Sequence, residues 1–149
     1  MAWANQRVFE AVSSLPDESL AAYLTNTDWS AAEILWHIVS GADSYVARLT
    51  GTDKSILQKP SRMSDVSVLA EELKNLDSRL LEAGKLEDEP LTKEVGGKQV
   101  THLRSTIISQ AIHHATEHRA QLIDALEFRG FNSINLDDVD LWAFAETQE

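Results

Sequence analysis

Over most of the chain the apolar residues return every three or four positions, the period of helices that bury one stripe. In "AWANQRVFEAVSSL" the stripe is Trp3, Val8, Phe9, Val12 and Leu15, and Pro16 stops it. A short helical turn, "DESLAAYL", is predicted next. "DWSAAEILWHIVSGADSYVARLTG" carries the clearest boundaries: Ser30 caps, Glu33 reaches back to complete a capping box, and Gly51 closes the helix. Its inner face reads Ile34, His37, Ile38, Gly41, Tyr45 and Leu49, so a histidine stands among the core positions. The third helix is predicted from Ser64 through "VSVLAEELKNLDSRLLEAG", with Ser64 or Asp65 as cap and Gly84 as terminator. "KLEDEPLTKEVGGKQVTH" alternates around Gly96-Gly97 and reads as an exposed connection with a small hairpin. A fourth helix is expected from about Thr101 to Arg129, ended by Gly130, with Leu103, Ile107, Ala111, His114, His118, Leu122 and Ala125 on one face. The tail "INLDDVDLWAFAETQE" adds a last turn whose Trp142 and Phe144 cover an end of the core.

Four long helices predict an all-α four-helix bundle, whose interior commonly hosts metal sites built from facing side chains. The links after the second helix and before the fourth are long enough for crossovers, so spacing alone leaves the course of the chain open. With 149 residues the chain is expected to form a single domain, 1–149, burying roughly two-thirds of its unfolded surface.

Composition narrows the chemistry. The absence of cysteine excludes disulfides, thiolate ligands and a cysteine nucleophile, so any metal must be held by nitrogen and oxygen. A net charge of -11 opposes phosphate backbones and anionic lipid, so neither nucleic acid nor membrane is an expected partner. No apolar run approaches the roughly 20 residues of a membrane span, and "MAWANQRVFEAV" lacks a signal-peptide layout. The expected location is the cytoplasm.

Three of the five histidines fall in "HHATEH". On one helix His114 and His118 lie about 40° apart in azimuth and roughly 6 Å apart along the axis, close enough to share an ion. His113 points about 100° away and is expected at the surface or an interface. His102 lies too far along the helix to join them. A buried imidazole nitrogen without a partner costs about 1–3 kcal/mol. Three neutral rings, His37, His114 and His118, would relieve that cost together by binding one divalent cation and would leave a position open for water or substrate. The spacing is not that of the metalloprotease helix, because no glutamate follows His114 directly. Glu117 sits about 60° from His114, placed to accept from a ligand ring or act as a base, although a solvated helix glutamate is the commoner role.

These residues resemble the DinB/YfiT-like family nearly end to end. "WANQRVFEAVSSLPDESL" is similar to its first helix, "DWSAAEILWHIVSGADSYV" to its second, and "HHATEHRAQL" to its late histidine motif. The resemblance implies an up-down-down-up four-helix bundle, commonly a homodimer, that binds nickel or zinc through His37, His114 and His118. It also brings in Arg119 and Gln121, expected in a salt bridge or dimer contact, and Asn5, expected to cap or pack against the site. The family usually carries residues ahead of "WAN", so a short first helix is expected, and Ala120 stands where glycine is common.

Some relatives use a metal-held low-molecular-weight thiol as a nucleophile in transfer or isomerisation. The expectation is therefore a metal-dependent enzyme of thiol-dependent transferase or hydrolase type acting on a small molecule. The competing expectation is a non-catalytic dimeric bundle with a structural ion. A bundle without metal would follow if His37 stood apart from the other two.

Overall fold

The computed structural model describes residues 1–132 and 134–148. Along the chain come α1 (Ala2–Ser13), α2 (Ala31–Thr50), α3 (Met63–Gly84), β1 (Pro90–Val95), β2 (Lys98–Leu103), α4 (Arg104–Phe128) and α5 (Leu141–Glu146). Short 3-10 turns occupy Asp17–Ala21 and Leu136–Val139. The protein is mostly helical, with a small antiparallel hairpin between α3 and α4. Packing order differs from chain order, since α2 lies against both α3 and α4 while α1 packs chiefly on α3. The shared faces bury Phe9, Leu35, Ile38, Leu73, Leu76 and Leu122 almost completely, each contributing about 1.5–3 kcal/mol. Among the described residues no helix is long and apolar enough to cross a membrane.

Helix ends reveal which local signals won. Ser30 caps α2 by accepting the Glu33 N–H at 3.4 Å, and Gly51 closes it at φ 72°. Glu33 does not complete the predicted box, because its carboxylate pairs with Lys59 instead. α3 begins at Met63, ahead of the expected caps. Asp65 acts from within the first turn, its Oδ2 accepting the backbone N–H groups of Ser61 and Arg62 at 2.9 and 3.2 Å. Gly84 is the last helical residue rather than a left-handed stop, and Lys85 takes the cap position.

The largest boundary correction concerns α4. Thr101–Leu103 pair with β1 through a two-residue turn in which Gly96 and Gly97 hold φ of 57° and 78°. Positive φ at both turn positions matches the twist of a hairpin, so alternation prevails over helical period there. α4 then starts at Arg104, where the Asp88 carboxylate accepts both the Ser105 N–H and its hydroxyl at 2.8 Å. Its far end is a Schellman stop: Gly130 N–H donates to Glu127 and Phe131 N–H to Leu126, with Gly130 at φ 83°. In the tail Phe144 meets Trp3 with ring centroids 5.5 Å apart. Trp142 is 80% exposed and does not cover the core as expected. Glu149 lies outside the described residues.

Candidate metal centre

The seam between α2 and α4 carries the three histidines. The buried stripe of α4 runs through Ile107, Ala111, Ala115, Arg119 and Leu122, whereas Leu103 is exposed in the hairpin. His114 and His118 are half-buried beside that stripe rather than within it, and His37 is half-buried on α2. The reason is helical geometry: residues 114 and 118 are one position from Ala115 and Arg119, so they turn from the core centre toward α2.

The rings converge closely. Centroid separations are 4.9 Å between His37 and His114, 4.5 Å between His37 and His118, and 4.4 Å between His114 and His118. One nitrogen from each ring lies within 4.8 Å of the others, an arrangement that could hold a metal ion. The Nε2 atoms of His37 and His114 are 3.0 Å apart. With metal–nitrogen bonds of about 2.0–2.1 Å, two ligands would be about 2.9 Å apart at a right angle and about 3.3 Å at a tetrahedral one. The observed pair falls between these limits, so His37 and His114 already stand at the spacing of two ligands of one ion, with the third nitrogen within 4.8 Å. Among the described residues no carboxylate or fourth histidine joins the group.

Three neighbours explain this placement. Gly41 makes room for His114, since a methyl group there would overlap the imidazole. The Trp29 indole packs against His37 and His118, at 5.0 and 5.6 Å between centroids, and its Nε1–H donates to Gln121 Oε1 at 3.0 Å. Because an indole N–H only donates, this contact fixes the orientation of the Gln121 amide. The same oxygen lies 2.8 Å from His118 Nδ1, which must therefore carry the ring proton. His118 Nε2 is left with its lone pair available, as a metal ligand requires.

Charge favours neutral rings. Burial, reinforced by His118 and His37, pushes His114 down to about 4. Burial and then His118 also hold His37 below the usual histidine value, against an opposing pull from Glu33. Neither ring has to lose a proton near neutral pH to offer its lone pair.

The remaining predicted residues separate. His113 is exposed, as its azimuth predicts, and so is Glu117. His102 sits on β2, where its Nδ1 accepts from Arg48 at 2.6 Å. Asn5 is buried between helices, but it serves a different cluster: its amide nitrogen donates to both oxygens of Asp77, and its oxygen accepts from Arg119 at 2.6 Å. Arg119 also donates to Thr116. Among the described residues neither Arg119 nor Gln121 enters an ion pair, and Gln121 instead bonds Trp29 and His118. Sequence pattern alone does not distinguish Asp77 or Trp29. Asp77 looks like any acid on an acid-rich helix, and only the burial of its neighbours Leu76 and Leu80 hints otherwise.

Comparison with known proteins agrees with the architecture. The DinB family profile matches residues 1–149, and the chain belongs to that family. A DinB-like protein from Bacillus cereus has a similar structure, with a TM-score of 0.65 at 16% identity over 89% of this chain and 90% of that one. At that identity the likeness concerns the fold alone. No curated protein matches the sequence.

Proposed function

We propose that this DinB-family chain holds one divalent cation, nickel or zinc, through His37, His114 and His118, and uses it as a metal-dependent enzyme on a small molecule. The observation that carries the reading is the convergence of three imidazoles whose nitrogens lie within 4.8 Å. A cation held there supplies Lewis acidity, lowering the pKa of a thiol or water so that a nucleophile is available near neutral pH. The protein's own residues orient and enclose. Gln121 fixes the His118 tautomer, Trp29 covers one side of the rings, and Tyr45 packs edge-on to His114 at 5.6 Å.

Three protein ligands leave a coordination position open, which favours catalysis over a structural pin. Reaction of the thiol-dependent transferase or hydrolase type fits that arrangement, and a low-molecular-weight thiol is the proposed co-reactant. The proposal extends to an up-down-down-up course, supported by the position of α2 between α3 and α4, and to a cytoplasmic homodimer. Cobalt-loaded protein titrated with a small thiol tests the open position. A sulfur-to-cobalt charge-transfer band is expected; a bound ion that stays inert to thiol and exchanges no water would favour the structural role.

A further inference from the structure

Arg48 keeps a buried polar atom that the fold leaves unpaired. Its Nε is buried and has no hydrogen-bond partner among the described residues, although the chain carries 24 acidic residues against 13 basic ones. None of the ion pairs among the described residues includes it. An unsatisfied buried donor is costly, and more so when the group is charged, so its retention needs a reason. The one partner Arg48 has is His102. A guanidinium has no acceptor, so the bond to His102 Nδ1 places the ring proton on Nε2. Arginine and histidine together thus offer only N–H donors, the complement of an oxyanion.

Position ties this pair to the histidine centre. Along α2, His37, Gly41 and Arg48 fall within about 40° of azimuth, on one face. Gly41 abuts the His114 ring. Arg48 follows seven residues later, about 10 Å along the axis. Tyr45 lies between them in the sequence of that face, its ring 5.6 Å from that of His114. Asp43, the acid on the same stretch of α2, is engaged elsewhere by the Ser55 backbone N–H at 2.8 Å.

We propose that Arg48, held in place by His102, binds a carboxylate of the small molecule whose reacting end lies at the three histidines. The inference rests on the metal-enzyme reading and narrows its substrate class to carboxylate-bearing molecules long enough to span the two groups. Arg48 is the binding residue and His102 a positioning residue.

Mercaptohexanoate and mercaptohexanol, alike in length and thiol, separate the two ideas when added to the full chain. In metal-free protein, mercaptohexanoate should shift the Arg48 Nε–H NMR resonance and mercaptohexanol should not. In cobalt-loaded protein, the charge-transfer band should saturate at about tenfold lower mercaptohexanoate concentration, the gain expected of a charge-assisted contact. Arg48→Met should erase that preference while leaving mercaptohexanol affinity and cobalt stoichiometry unchanged. His102→Asn, which keeps an acceptor near the Nδ1 position, should retain the preference, and His102→Ala should weaken it. Equal affinity of the two thiols in the parent protein, or a preference that survives Arg48→Met, overturns the proposal. Failure to bind cobalt with the Arg48 shift intact would remove the metal reading alone; cobalt binding without carboxylate preference would remove the carboxylate site alone.

Discussion

Two polar clusters meet on α4 one residue apart, and they solve the problem of burial in opposite ways. Around Arg119, each partner satisfies another: Asn5 bridges Asp77 and the guanidinium, and Thr116 takes a further N–H. Burial pushes the Asp77 carboxyl above the usual carboxylate range, while the Asn5 amide opposes the shift. Around His118, Gln121 secures the outer nitrogen and the inner nitrogens of three rings face one another. The first cluster is closed and joins α1, α3 and α4. The second brings one nitrogen of each ring within 4.8 Å of the others, an arrangement that could hold a cation. A partly buried polar group therefore marks a candidate site when atoms able to ligate an ion converge, not merely because it is polar.

Substitutions can separate the two clusters. The largest effect expected is complete loss of stoichiometric metal in His118→Ala, with His113→Ala retaining it. Elemental analysis of protein purified without a histidine tag measures both, and equal losses would mean that the wrong pair was assigned. Arg119→Met should leave metal stoichiometry in the folded protein intact but lower stability by about 3 kcal/mol in urea unfolding. This is the low end for breaking a buried ionic cluster, because Asp77 can take up a proton. A metal-free but fully stable Arg119→Met protein would dissolve the distinction between the clusters.

Smaller effects sharpen the histidine side. Gln121→Leu removes the acceptor that fixes His118 and should weaken metal affinity about 10- to 100-fold in competition with a chromophoric chelator. Gly41→Ala forces a methyl group against His114, so it should shift the ring and reduce affinity about tenfold, at the weaker end of the same range, with helix content by circular dichroism unchanged. Unchanged affinity in Gly41→Ala would show that His114 can move freely without loss of the site.

The sequence made the histidine trio legible because its information is local: a pair four apart on one helix, plus His37 at a core-spaced position on another. Helix periodicity likewise placed α1 to α4 and the Gly51 and Gly130 stops. What escaped depends on tertiary contact. Gln121 gains its role only when Trp29, 92 residues away in sequence, fixes its amide orientation. Asp77 is distinguished from its exposed neighbours on α3 only by the arrival of Asn5 and Arg119. Periodicity alone puts the start of α4 too early because residues 101–103 are compatible with either period, and pairing across Gly96-Gly97 decides between them.

X-ray absorption at the metal edge of the loaded, untagged protein tests the central claim most directly. The prediction is one ion per chain with three imidazole shells at about 2.0–2.1 Å and at least one exchangeable light-atom ligand. A shell with fewer than three imidazoles, or one unchanged by His37→Ala, would contradict it.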